Sequence, residues 1–188
     1  MKQSALRGIK KLATILVGVV IAAFIAATNL MAGSKEHQAG VTFLPDDLLM
    51  PALLKDLGDA RQDITCALYM FKTDGNTNAT GRLLNAMLEA RKRDVPVTII
   101  FDMGDKNELT SKYNQATAKT LKQAGVNVIF DDPDRRMHAK MCIIDESISF
   151  IGSHNYTYSA MQRNSEATVR VSSPEVAAEA LIYMKGIK

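Results

Sequence analysis

Met137-His138-Ala139-Lys140-Met141-Cys142-Ile143-Ile144-Asp145, followed at Gly152-Ser153-His154-Asn155, is the stretch whose reading decides the rest of the chain. If residues 137–145 are extended, period-2 alternation places His138 and Lys140 on one face, an imidazole beside an ammonium. A second apolar run over residues 148–151 ends at Gly152. By the same alternation Ser153 and Asn155 then point one way and His154 the other. A nucleophile or acid, a fixed cation, a hydroxyl and an amide would thus meet at the ends of two strands. That set suits a phosphodiester: cation and amide hydrogens hold the non-bridging oxygens while the imidazole does covalent or proton-transfer work.

Outward from this stretch, short apolar runs alternate with amphipathic ones. A short strand is expected at 41–43, then a helix with Leu49, Leu53 and Leu57 at every fourth position, ending near Arg61. A strand at 64–71 follows. Residues 74–78 carry turn chemistry, and a helix over 80–93 has Leu83, Leu84, Met87 and Leu88 on its apolar side. Pro96 cannot donate to a ladder and fits the start of a strand at 97–101. Residues 104–112 read as a polar loop at that strand's carboxyl end, where open α/β sheets place ligand-binding segments. A helix at 113–124 stopped by Gly125, a strand at 126–130, the charged loop 131–136 and a strand at 167–171 complete the pattern. Ser172, Ser173, Pro174 and Glu175 start a last helix, and Gly186 ends it. The fold class expected is α/β, with a mixed, largely parallel β-sheet flanked by helices on both faces.

One domain of ordinary size plus a leader accounts for 188 residues, of which 47% are hydrophobic and 23% charged. Residues 1–33 are expected to be a signal peptide or N-terminal membrane anchor. The basic residues Lys2, Arg7, Lys10 and Lys11 precede an uncharged run at 12–27, with small residues at Ala27, Ala32 and Gly33. Residues 34–40 form a linker, and 41–188 the catalytic domain. Of 23 basic residues four lie in the leader, which leaves 19 against 20 acidic ones. Global charge therefore gives no argument for nucleic-acid binding, although Arg135, Arg136, Lys140 and Arg163 can make a local positive site. Cys66 and Cys142 fall in two different strands and match no zinc or redox spacing. Two buried small apolar side chains are the plain reading, export would permit a disulfide, and the sequence leaves their approach open.

The spacing His-x-Lys, four residues, Asp, six residues, Gly-Ser-x-Asn resembles the signature of the phospholipase D superfamily at His138, Lys140, Asp145, Gly152, Ser153 and Asn155. Further resemblance runs through Tyr69 and Phe71, Asn155-Tyr156-Thr157 and Asn164-Ser165-Glu166. One copy in a chain of this length is most similar to the small single-motif members, bacterial endonucleases and the mitochondrial cardiolipin hydrolase type. The resemblance implies that His138 attacks phosphorus to form a phosphohistidine. Lys140, Asn155 and Ser153 would bind phosphate, and Glu166 would hydrogen-bond a catalytic imidazole and fix its tautomer. Asp145 lies five residues past Lys140, on the opposite side of a regular strand, and reads as structural; Gly152 permits the tight backbone that presents Ser153. Taken singly, each is an ordinary residue: a structural histidine, a solvated lysine, turn residues, a surface glutamate. Only the joint spacing lifts them above that.

A nucleophile and a leaving-group acid call for two imidazoles, and one motif supplies one. A two-fold homodimer that brings both His138 rings to one phosphate is the simplest arrangement; His154 faces the wrong way and His37 sits in the linker. No cofactor and no metal are expected, since three histidines and two cysteines so placed form no usual ligand set. The function expected is an exported, metal-independent, non-specific endonuclease on DNA or RNA. The rivals are phospholipase D-type chemistry on phospholipid head groups, with membrane attachment if the leader is retained, and a non-catalytic nucleic-acid-binding module. Three departures from the family pattern leave the pocket lining open: Ala167 where Asn often follows the acid, Lys72 in place of a small hydroxyl residue, and Asp94 in place of glycine.

Overall fold

The computed structural model describes residues 35–73, 75 and 77–187. The leader expected at 1–33 lies outside them, as does part of the turn at 74–78. His37–Lys188 makes a compact unit. Its strands are β1 (Gly40–Pro45), β2 (Ile64–Leu68), β3 (Val97–Phe101), β4 (Asn127–Phe130), β5 (Lys140–Ile144), β6 (Ile148–Gly152) and β7 (Ala167–Ser172). Its helices are α1 (Leu49–Asp59), α2 (Ala79–Lys92), α3 (Leu109–Gln123), α4 (Tyr158–Gln162) and α5 (Pro174–Lys185). None is long and apolar enough to cross a membrane among the described residues.

The strands form one mixed sheet in the order β1-β7-β6-β5-β2-β3-β4. The largely parallel sheet expected from the alternation of strands and helices needs correction. Only β2–β3 and β3–β4 are parallel, while β2–β5, β5–β6, β6–β7 and β1–β7 are antiparallel. The cause is local: a three-residue link joins β5 to β6, and so short a connection can only reverse the chain. Helices α2 and α3, which follow β2 and β3, are the crossovers that make the two parallel pairs.

Alternation along the strands divides the core in two. Ile64, Cys66, Leu68, Val97, Ile99, Phe101, Cys142 and Ile144 face α1, α2 and α3, which bury Leu53, Leu57, Leu83, Met87 and Leu121 against them. On the other face Ala67, Ile100 and Ile143 meet Ala177, Ala180 and Met184 of α5. Cys66 and Cys142 are cross-strand partners in the β2–β5 ladder, with Cα atoms 4.0 Å apart, and are joined in a disulfide. The pairing left open by sequence thus lies inside the larger core.

Caps explain several helix starts. Asn78 accepts from Gly81 N, Thr157 from Ala160 N, and Ser173 from Val176 N with Pro174 at the first helical position. Helix α4, behind its Thr157 cap, is too short to show periodicity and was not expected from sequence. Helix α3 starts at Leu109, four residues before the expected start, so the polar loop after β3 shrinks to residues 102–108. Strand β2 stops at Leu68, because the backbone of Tyr69, Met70 and Phe71 bonds instead to Ala139, Tyr156 and the side chain of Asn114.

Two devices pin the β5–β6–β7 register. Asp145 and Glu146 both have positive φ, 52° and 50°, and Ser147 N donates to Ile144 O, so the hairpin turns through a type I′ turn. The Asp145 carboxylate reaches back to accept from the backbone N–H groups of Arg61, Gln62 and Asp63 ahead of β2. At the other end of β6, a Cβ on Gly152 would stand 2.2 Å from Thr168 Oγ1 and 2.4 Å from the Ala167 carbonyl oxygen. Only glycine lets β6 approach β7 there. Gly152→Ala is accordingly expected to lower stability by about 2 kcal/mol or more, read as a lower urea midpoint with circular dichroism, because the clash is with backbone that cannot rotate away.

Candidate active site

The candidate residues gather where β5 begins and β6 ends. Strand β5 starts at Lys140, so His138 stands just ahead of the ladder, yet its backbone is held. Tyr69 N donates to Ala139 O at 2.9 Å, and Met137 N donates to the buried Asp102 Oδ1 at 2.8 Å. Met137 itself is buried against α5, which turns the His138 ring outward. The Tyr69 ring is the platform for both groups. Its centroid is 4.4 Å from that of His138 and 4.7 Å from Lys140 Nζ, which also donates to His138 O at 2.8 Å.

The β5–β6 register continues from Met141↔Ile151, which sets Lys140 beside Gly152 and Ser153. Ser153 Oγ donates to Glu166 and accepts from Ala167 N at 3.1 Å, while Asn164 Nδ2 donates to the second Glu166 oxygen at 3.0 Å. Within one chain Glu166 is therefore engaged by Ser153 and Asn164, a different partnership from the histidine-orienting one carried over from the family. Asn155 buries its Oδ1 without a hydrogen-bond partner, which leaves its NH2 as the end that reaches solvent.

His154 faces the opposite way and is 1% exposed. Its Nε2 lies 2.9 Å from the Asp46 carbonyl oxygen, which can only accept, so that nitrogen carries the hydrogen and Nδ1 accepts from Thr168 Oγ1 at 2.8 Å. Asp46, at φ 51°, also donates its N–H to Glu166 O at 2.9 Å, and its Oδ1 accepts from Glu166 N at 2.9 Å. His154 thus ties the end of β1 beneath Ser153 and Glu166. Asp145 stands at the far end of β5, at the turn already described.

Burial lowers the His138 pKa below its ordinary value, and the Lys140 ammonium lowers it further against the opposing pull of Asp102. Lys140 is itself lowered by burial, partly offset by Glu166 and Asp102. A neutral ring with a free lone pair is what a nucleophile requires. Beneath it lie two acids that motif reading passed over. Burial pushes Asp102 up against the Met137 N–H bond, and pushes up Asp131, whose Oδ1 accepts from Met103 N. The sequence did carry a signal for them: Phe101-Asp102 and Phe130-Asp131 each put an acid straight after a short apolar strand, at its carboxyl end. Asn114 of α3, fully buried, braces the same ends by donating to the carbonyl oxygens of Tyr69 and Asp102 and accepting from Phe71 N. Among the described residues no group of three or more His, Cys, Asp or Glu side chains is arranged to hold a metal ion.

Residues 53–187 match a family model described as cardiolipin synthase, PLD-like domain. Cardiolipin synthase B of Salmonella typhimurium is 28% identical over 147 residues, covering 70% of this chain and 34% of that protein. The chain spans about a third of the length of such relatives. Among solved structures, the phospholipase D family member Nuc from Salmonella typhimurium superposes with a TM-score of 0.67 at 22% identity, over 79% of this chain and 93% of that one. NucT from Helicobacter pylori does so with a TM-score of 0.62 at 19% identity, over 80% and 96%.

Two measurements check this geometry. The His138 ring is expected to titrate below pH 6.5 in an NMR series, and Lys140→Met is expected to move its midpoint upward, since a like charge is removed. Between the folded and unfolded midpoints the unfolded chain binds more protons, so this ring's contribution favours folding above pH 6.5 and fades as the pH falls. Asp145→Ala is expected to cost roughly 2 kcal/mol in urea unfolding while leaving the His138 midpoint in place, because it removes the acceptor of backbone N–H groups far from the ring.

Proposed function

Because this chain belongs to the phospholipase D-like family, we propose that it is a phosphodiesterase that cleaves DNA or RNA as an endonuclease of little sequence preference. The observation that carries the reading is the convergence on one strand end of a neutral, outward-facing imidazole with an ammonium, a hydroxyl and an amide. The His138 nitrogen attacks phosphorus, and the bond from phosphorus to the leaving oxygen breaks. Lys140, Ser153 and Asn155 hold the non-bridging oxygens, whose charge grows in the transition state. A second imidazole gives the leaving oxygen its proton and then takes one from the water that hydrolyses the phosphohistidine.

His154 is committed to Asp46 and Thr168, so the second imidazole is assigned to His138 of another copy. An apolar strip on the α5 face of the sheet supports that assignment. Phe43, Val169, Ile151 and Met141 are paired in register across four strands on the α5 face, Phe43 is 62% exposed, and the neighbouring Val41 is 63% exposed. The family's metal-independent chemistry needs no ion at this donor set. Export across a membrane, to the periplasm or beyond, is supported by the basic and apolar composition of residues 1–33.

Phospholipid is the second reading, and two observations favour it. A sequence relative is named cardiolipin synthase B, and a cleft of about 530 Å³ beside Met137 is lined by Ile182, Tyr183 and Ile187 as well as Arg135 and Arg136. One assay separates the readings: the full chain in chelator with plasmid DNA, RNA or phosphatidylglycerol vesicles, alongside His138→Ala. Nicking by the wild type, lost at least about a thousand-fold in the variant, is expected. Turnover of vesicles alone would replace nucleic acid by lipid, and activity of a species that sediments as a monomer would remove the shared site.

A further inference from the structure

Arg136 stands two residues before His138 and is not part of the signature. Its Nη1 donates to Tyr69 Oη at 3.0 Å, and its Nη2 donates to both oxygens of Glu108 at 3.0 Å. Through Tyr69 the guanidinium is one side chain away from the imidazole, since the Tyr69 and His138 rings lie 4.4 Å apart. Glu108 belongs to the loop after β3 and is the residue before α3, yet its side chain does not cap that helix. Its carboxylate lies instead across the guanidinium, which prefers planar anions with two acceptor oxygens and meets phosphate in the same geometry.

Three features make this pair exchangeable. Arg136 and Glu108 are 43% and 39% exposed, and half-exposed ion pairs are weak. A displaced Glu108 carboxylate would remain at the N-terminus of α3, where the helix dipole favours negative charge. The pair also closes over Gly104: a Cβ there would stand 2.6 Å from Glu108 Oε2 and 3.0 Å from Arg136 Nη2, so the missing side chain leaves the room in which the two meet.

We propose that Arg136 is a specificity-determining residue, a second phosphate-binding group beside the His138 site, which Glu108 occupies at rest and which a neighbouring phosphate of a polyanionic strand takes over. It rests on the phosphodiesterase reading above and deepens it. A lone phosphodiester gains nothing from Arg136, whereas a strand with a second phosphate displaces Glu108 and is retained. Glu108 thus sets a threshold of charge density for the substrate.

The test uses the full chain and two readouts. In the first, kcat/KM is measured for a single-stranded 12-mer DNA and for bis(4-nitrophenyl) phosphate, which has one phosphate. Arg136→Ala is expected to raise KM for the 12-mer about tenfold and flatten its dependence on log[salt] by about 0.7, the single-strand increment for one phosphate contact. The same variant should change turnover of the small diester less than twofold. Glu108→Gln, and Gly104→Ala by dislodging the pair, should lower KM for the 12-mer several-fold. Equal losses on both substrates in Arg136→Ala would overturn the proposal, since Arg136 would then merely support Tyr69 and His138. In the second readout, binding of thymidine dinucleotide and trinucleotide, with one and two phosphates, is compared in the His138→Ala background. The added phosphate is expected to tighten binding about tenfold, and Arg136→Ala to abolish that gain. A gain that depends on Arg136 in a chain that turns over only vesicles would uphold the subsite and sink the nuclease reading. DNA cleavage with no such gain would do the reverse.

Discussion

The antiparallel register of β5 between β2 and β6 is the constraint on which the site depends. Leu68 stands opposite Lys140 and Met141 opposite Ile151, so the Tyr69 platform, the His138–Lys140 pair and Ser153 come to the same end of three adjacent strands. A slip of one residue in β5 would turn His138 and Lys140 to the α5 face and Met141 to the face of α1, α2 and α3. Asp145 at one end and Gly152 at the other oppose such a slip, one by anchoring the turn to the start of β2, the other by letting β7 close on β6. Two signature residues that touch no candidate phosphate position thus have a physical reason to be there.

The same alternation separates two histidines that are sixteen residues apart in sequence. His138 faces solvent on an aromatic platform, and its lowered pKa follows from partial burial beside an ammonium. His154 is enclosed and bonded at both nitrogens. One ring is open to solvent, whereas the other joins strand ends. The distinction lies in where each nitrogen is directed, and residue type carries none of it.

Much of the sheet was legible because apolar runs and turn residues are local signals. Residues 97–101 were read with their observed bounds, and Ser173-Pro174 marked the start of α5 correctly. Pairing direction was less legible. Alternating strands and helices suggested a mixed but largely parallel sheet, whereas β5 enters the sheet between β6 and β2, and the hairpin beyond it reverses the chain. Helix α3 began early because Leu109 extends its first turn while 65% exposed, where no apolar face announces a start. Glu166 illustrates a further limit: its position relative to the signature was readable, yet its bonds to Ser153 and Asn164 depend on how β7 lies against β6.

By itself the sequence determined the candidate groups and their shared face. His138 and Lys140 are two apart in an extended segment, and Ser153 and Asn155 two apart after a glycine, so alternation alone orders them. Tertiary structure alone decided what surrounds them: the Tyr69 platform, the buried acids Asp102 and Asp131 beneath, and the Arg136–Glu108 pair at the side. Tyr69, Asp102 and Glu108 come from strand ends and loops 28 to 69 residues away along the chain from His138 or Arg136. Local periodicity has no reach over such separations. Contacts of that kind are set by which strands become neighbours, and that choice is made by the packing of the whole core against both faces of the sheet.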